Sequence, residues 1–140
     1  MGRKKKHERD LFASKANSST VDYFGTMYDS MCKDKIYKSL HVATRQFYVL
    51  CRVQARSKSG RNCLFNHCQG YEYQYDPEEY FVFPAKHQEE YGVKRQNGKE
   101  YLKELVSKGF IEVVENNKHR RKVNVYKFST KWKDVDKNSL

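Results

Sequence analysis

The sequence has no apolar run long enough to cross a bilayer, and its opening residues do not follow a signal-peptide pattern. Both absences lead to the expectation of a cytoplasmic protein with no membrane partner. Catalytic signatures are missing as well. There is no Gly-rich phosphate loop, no pair of carboxylates set in a pocket and no nucleophile motif, and the histidines are scattered. Neither an enzyme nor a cofactor is expected. Cys32, Cys51, Cys63 and Cys68 are not spaced like a secreted disulfide framework, and in the cytosol they would stay reduced. Acidic residues are in short supply, 17 against 28 Lys and Arg, which leaves a net charge of +11. That imbalance attracts a polyanion, and nucleic acid is the commonest one. An anionic membrane is the rival, but no long basic amphipathic helix supports it.

What is present fits one domain of 140 residues with an aromatic-rich core, since Tyr and Phe number 11 and 8. Residues 1–19 are polar and aperiodic and read as a mobile tail. Its cluster Arg3, Lys4, Lys5 and Lys6 is either a phosphate-contacting arm or a solvated leader. Val21 to Ile36 holds Tyr23-Phe24-Gly25 and Met27-Tyr28, too aromatic for a disordered tail. It packs on the core or meets a second copy. No heptad marks a dimer helix, so Tyr23 to Met31 is the surface for a homodimer if one forms. Ser39 to Arg56 is the first helix, with Val42, Ala43, Phe47, Leu50 and Cys51 as its apolar stripe, and Ser57-Lys58-Ser59-Gly60 reads as the loop that ends it. Cys63, His67 and Cys68 crowd six positions and raise zinc as a question, but a second ligand pair is missing and no metal is expected. The bland reading is an irregular or strand segment with half-buried thiols. Tyr71-Glu72-Tyr73-Gln74-Tyr75 alternates like a strand, and Tyr80-Phe81-Val82-Phe83 is a short buried or edge strand ahead of Pro84, which suits the first position of a helix.

The stretch from Ala85 to Phe128 organises the rest. Ala85 to Tyr91 is a short helix, Gly92-Val93 a tight turn and Lys94 to Lys108 a longer helix ended by Gly109. Tyr101, Leu102, Leu105 and Val106 form the inner face of the longer helix. Gln96, Asn97, Lys99, Glu100 and Lys103 face out. Glu112 to Phe128 then alternates as a hairpin about Asn116-Asn117-Lys118, held to the core by Val113, Val123, Val125 and Phe128. Its tip and return strand carry Lys118, His119, Arg120, Arg121 and Lys122.

Gly92-Val93, Lys94-Arg95, Leu102 with Leu105, and Gly109-Phe110-Ile111 resemble the corresponding segment of bacterial winged helix-turn-helix proteins, over about a third of the chain. The chain departs from that pattern at Lys94, where a capping Ser is usual, and at Gly98, where a larger core residue is usual. Glycine there weakens a helix by ~1 kcal/mol relative to Ala, and allows close packing on the preceding helix or close approach to DNA. The resemblance implies an α+β fold, a winged helix-turn-helix with a small antiparallel sheet, spanning 20–133 with its wing at 112–128 and a polar tail at 134–140. It also implies double-stranded DNA as partner. Gln96, Asn97, Lys99 and Lys103 would read bases, while Lys94, Arg95 and the wing residues 118–122 would hold the backbone. The blocks Ala43-Thr44-Arg45-Gln46-Phe47-Tyr48, Leu50-Cys51-Arg52 and Tyr80 to Pro84 look like small winged-helix proteins of Gram-positive plasmids and conjugative elements. That likeness implies action at a promoter, replication origin or transfer origin. The other expectation is an accessory factor that binds DNA without specificity or holds a relaxase, helicase or replication initiator.

Overall fold

The computed structural model describes residues 26–134. The basic tail with Arg3, Lys4, Lys5 and Lys6, the Tyr23-Phe24-Gly25 cluster and residues 135–140 lie outside that range. The described chain is α+β, with helices around one three-stranded antiparallel sheet ordered β1-β3-β2.

Two short helices, α1 (Asp29–Lys33) and α2 (Lys35–Lys38), come first. Asp34 separates them, and its side chain accepts the Ile36 N–H at 3.0 Å to cap α2. Met31, Ile36, Tyr37 and Leu40 are buried, and Met27 packs against them. This stretch therefore belongs to the core, although Tyr28 stays exposed.

The long helix α3 covers Val42–Arg56, three residues shorter at its start than the periodicity predicts, because Ser39 closes α2. Its inner face is Thr44, Phe47, Tyr48, Cys51, Gln54 and Ala55. Val42 is 72% exposed and Ala43 is exposed too, so two members of the expected stripe face water. The phase is hidden by polar residues that are buried but satisfied. Thr44 donates to Glu104 Oε1 at 2.5 Å, and Gln54 Nε2 donates to the Val82 carbonyl at 3.3 Å.

The Ser57 to Gly60 signal is a helix junction and not a loop. Ser57 ends α3 and caps α4 (Lys58–His67), accepting the Gly60 N–H at 3.0 Å while donating to the Gln54 carbonyl at 2.9 Å. The cysteine-rich segment is thus helical. It ends on a turn in which Gln69 N bonds Asn66 O at 3.0 Å and Gly70 N bonds Phe65 O at 3.1 Å. Tyr71 to Tyr75 forms no strand, and among the described residues no strand lies beside it to pair with.

β1 is only Tyr80–Phe81, paired with β3 (Val125–Phe128) through Tyr80↔Lys127 and Phe81↔Tyr126. Phe81, Val82 and Phe83 are all buried. Phe81 and Phe83 enter the main core, and Val82 joins a second cluster with Leu64 of α4 and Val125. A short edge segment covered on both faces explains the unbroken apolar run. Pro84 is the N-cap of α5 (Ala85–Glu90) and not its first residue.

Gly92 has φ +80, and Gly92 N and Val93 N bond the Glu89 and Gln88 carbonyls at 2.9 and 3.0 Å, which reverses the chain into α6 (Arg95–Ser107). Gly109 repeats the motif with φ +83, and Phe110 N bonds Leu105 O at 3.0 Å. α6 buries Gly98, Leu102 and Leu105. Val106, expected inside, is exposed, because it lies on the rim of that face. β2 (Ile111–Glu115) pairs with β3, with a bulge between Val113 and Glu115 that leaves Val113 and Val114 exposed, so Val113 does not hold the hairpin to the core. β3 stops at Phe128. Trp132 sits in a 3-10 turn (Lys131–Asp134), buried and stacked on Phe110 at 5.8 Å.

Candidate functional site

α6 is held from two sides. Gln88 of α5 is buried, its Nε2 donating to the Phe83 carbonyl at 2.8 Å, and a Cβ on Gly98 would lie 1.9 Å from its Oε1. Gly98 is therefore a helix-crossing residue. It serves close packing against α5 and does not face solvent. On the other side, Glu104 takes the Thr44 hydroxyl, the His41 N–H at 3.3 Å and the His41 Nδ1 at 3.1 Å.

Gln96, Asn97, Lys99, Glu100 and Lys103 are all exposed. Helical spacing puts Gln96, Glu100 and Lys103 opposite the buried Gly98, Leu102 and Leu105, with Lys99 on one flank and Asn97 on the other. Asn97 lines a groove of about 170 Å³ with Gln46, Tyr91, Lys94 and Tyr101, so it stands apart from the outermost line. Lys94 is the N-cap of α6 and makes no side-chain cap bond. Among the described residues no side chain is seen to cap the first turn of that helix.

The hairpin loop is built on two asparagines. Asn117 is buried; its Nδ2 donates to the Val123 carbonyl at 2.8 Å, and its N–H donates to Asn124 Oδ1 at 2.6 Å. Arg120 N bonds Asn117 O at 2.9 Å, and Arg121 takes φ +54. Lys118, His119, Arg120, Arg121 and Lys122 are exposed on this pinned loop. The sequence marks Asn116-Asn117 as turn residues and does not show this clamp, in which Asn117 pairs with Asn124 across the hairpin.

Ion pairs neutralise some cations and leave others without an acidic partner among the described residues, Lys35, Lys38, Lys58, Lys86 and Lys133 being among the latter. Lys33, Arg61, Lys108 and Lys131 are ion-paired to Asp29, Glu78, Glu104 and Glu112. Lys94, Arg95, Lys99, Lys103, Lys118, Arg120, Arg121 and Lys122 have no acidic partner among the described residues.

The cysteine and histidine cluster does not converge. His67 bonds Glu115 at 3.2 Å, whereas Cys63 Sγ lies 3.7 Å from His87 Nε2 of α5. Gln54 Nε2 faces both the Val82 carbonyl and His87 Nδ1, the latter at 2.7 Å. Bonding the carbonyl fixes that atom as the amide nitrogen, so Nδ1 is assigned as acceptor and Nε2 carries the proton toward sulfur. Burial and the nearby Glu90 push the Cys63 thiol up, against Lys86. Among the described residues no group of three or more His, Cys, Asp or Glu is placed to hold a metal. Glu115 also accepts the Tyr75 hydroxyl, and this bond to the carboxylate pushes the phenol up to about 12. Glu115 lies below its usual range, chiefly because of the same bond.

Compared with known proteins, the chain matches no family model, no curated protein and no solved structure. Among the described residues no helix is long and apolar enough to cross a membrane.

Proposed function

We propose that the chain binds double-stranded DNA as a winged helix-turn-helix protein, with α6 in the major groove and the 116–124 loop as the wing. The observation that carries the reading is the concentration of exposed cations on α6 and the hairpin loop: Lys94, Arg95, Lys99, Lys103, Lys118, Arg120, Arg121 and Lys122 have no acidic partner among the described residues. A duplex supplies the missing anions, and release of its counterions supplies much of the affinity. The order helices α3 and α4, strand β1, helices α5 and α6, then hairpin β2-β3, with β3 central in the sheet, supports the winged-helix assignment, with α4 as an insertion between the first helix and the first strand.

Within that reading Gln96 and Lys103, which share the outermost line with Glu100, reach base edges, and Lys99 and Asn97 reach the groove walls. Lys94, Arg95 and the uncapped first turn suit phosphate. Residues 118–122 suit the flanking backbone. Action at a promoter, replication origin or transfer origin of a mobile element follows from the sequence resemblance. The test is selection from a pool of random duplexes at near-physiological salt. A specific reader enriches a motif, favouring it by about 4 kcal/mol or more over random sequence. Retention without enrichment reduces the role to non-specific or accessory binding. No retention overturns the proposal.

A further inference from the structure

An open groove of about 400 Å³ runs between the C-terminal end of α4 and the return side of the hairpin loop, lined by Cys63, Asn66, His67, Gln69, Lys122 and Val123. Its size is that of a small-ligand site, roughly 300–1,000 Å³. One wall carries two exposed amides, Asn66 and Gln69; the other carries Lys122, a cation with no acidic partner among the described residues. The two walls are tied together beneath the groove, because Glu115 at the base of the hairpin binds both His67 and Tyr75.

Beyond Gln69 the chain presents three alternate tyrosines, and they are not equivalent. Tyr73 packs on Phe65 of α4 at 5.1 Å, and its hydroxyl reaches the Arg61 carbonyl at 3.4 Å. Tyr75 packs on Tyr80 at 5.0 Å and donates to Glu115. Tyr71 is 90% exposed and makes no ring contact or hydrogen bond among the described residues. The loop is anchored by the second and third rings, so the exposure of the first is a property of a fixed loop. A free aromatic ring two residues from a groove of amides and an unpaired cation is the combination that binds single strands: a ring for stacking, amides for base edges and a cation for the phosphate.

We infer that this groove takes an unpaired nucleotide, with its base stacked on Tyr71 and facing Asn66 and Gln69, and its phosphate on Lys122. The inference rests on the duplex-binding reading and extends it to DNA with a single-stranded tail or an opened end. No covalent step is involved.

The full-length chain is titrated by fluorescence anisotropy against a blunt duplex, the same duplex with a short single-stranded tail, and the tail strand alone, each probed with wild type and Tyr71→Ala. Tyr71 is 90% exposed and makes no ring contact or hydrogen bond among the described residues, so the variant retains its structure, which circular dichroism checks. The tail is expected to tighten wild-type binding roughly tenfold, the scale of one stacked base. Tyr71→Ala is expected to lose that gain while holding blunt duplex as wild type does. Tight binding of the tail strand alone, lost in Tyr71→Ala, also supports the site. Equal wild-type affinity for blunt and tailed duplex overturns the groove and leaves duplex binding standing. A tail gain that survives in Tyr71→Ala overturns it too. Failure to hold any of the three probes overturns the duplex reading, and the groove with it.

Discussion

Thr44 and Glu104 join the start of α3 to the middle of α6, the hydroxyl donating to Oε1 at 2.5 Å. The N-cap of α3 is His41, whose side chain makes no cap bond to the helix; the carboxylate of another helix binds this end instead, accepting the His41 N–H and the Thr44 hydroxyl. Glu104 is mostly buried, with Lys108 Nζ at 3.7 Å. A negative charge at a helix N-terminus also meets the positive end of the helix dipole. Burial pushes the Glu104 carboxyl up, but the bonds from Thr44 and His41 outweigh it and hold the group below its ordinary value of 4.5.

The sign of the pH effect follows. A carboxyl whose folded value is depressed adds stability above the unfolded value, and that stability is lost as pH falls through the folded one. Glu104→Gln is expected to cost ~1–3 kcal/mol at pH 7, the scale of hydrogen bonds to a charged group. The gap to wild type should narrow as pH drops below 4.5. Urea denaturation of both proteins at several pH values measures it. A gap that stays constant from neutral to acid pH would refute the tertiary cap.

Gly92 and Gly109 separate two costs that usually come together. Both have positive φ, +80 and +83, so any side chain there carries left-handed strain of ~1–2 kcal/mol. A Cβ at Gly92 meets nothing within 4 Å, while at Gly109 it lies 2.7 Å from the Trp132 backbone nitrogen. Gly92→Ala should cost only the strain. Gly109→Ala should cost clearly more, since the 3-10 turn that stacks Trp132 on Phe110 must move. Thermal unfolding ranks the two, and equal losses would mean the Trp132 turn yields freely.

Those two glycines were legible in the sequence because a left-handed residue after an amphipathic run has few alternatives. The turn at Gly92 and the boundaries of α6 to within a residue followed from such local signals, while the α+β class came from the resemblance. What failed was long-range. Ser57 carries the same composition whether it ends one helix into a loop or passes straight into another, and only its bonds to Gln54 and Gly60 decide. The alternation at Tyr71, Tyr73 and Tyr75 is that of a strand, but a strand needs a partner, and the rings of Tyr73 and Tyr75 anchor a loop instead. Thr44 and Gln54 look like surface residues until Glu104, Val82 and His87 are brought to them. Cys63 and His67 stand close along the chain, yet their partners His87 and Glu115 come from α5 and β2.

Gly98 opposes local to tertiary preference. Ala in place of helical Gly gains ~1 kcal/mol by propensity, but its Cβ would stand 1.9 Å from Gln88 Oε1, an atom that is buried with no hydrogen-bond partner. The Gln88 amide is fixed by the Phe83 carbonyl and has little room to withdraw. Gly98→Ala alone should therefore destabilise. In a Gln88→Ala background the same change should be neutral or stabilising. A double-mutant cycle by chemical denaturation reads the coupling, and additive effects would show that α5 and α6 separate without cost at this crossing.

The last prediction concerns the two halves of the proposed interface, which should fail differently. Gln96 and Lys103 project from a helix braced by Gln88 and Glu104, so their replacement leaves the fold intact and removes only what they touch. Gln96→Ala and Lys103→Ala should each cost ~1–3 kcal/mol on a selected duplex and blur its preference at one or two positions. Arg120→Ala and Lys122→Ala act on a loop pinned by Asn117 and Asn124, and they should weaken every duplex alike. Each should also lower the slope of log affinity against log salt by ~0.9, the share of one phosphate. Anisotropy titrations across a salt series measure both quantities on the same proteins. If Gln96→Ala changes the salt slope and leaves preference untouched, α6 lies along the backbone and does not read the groove, and the loop would then have to supply whatever specificity the protein has.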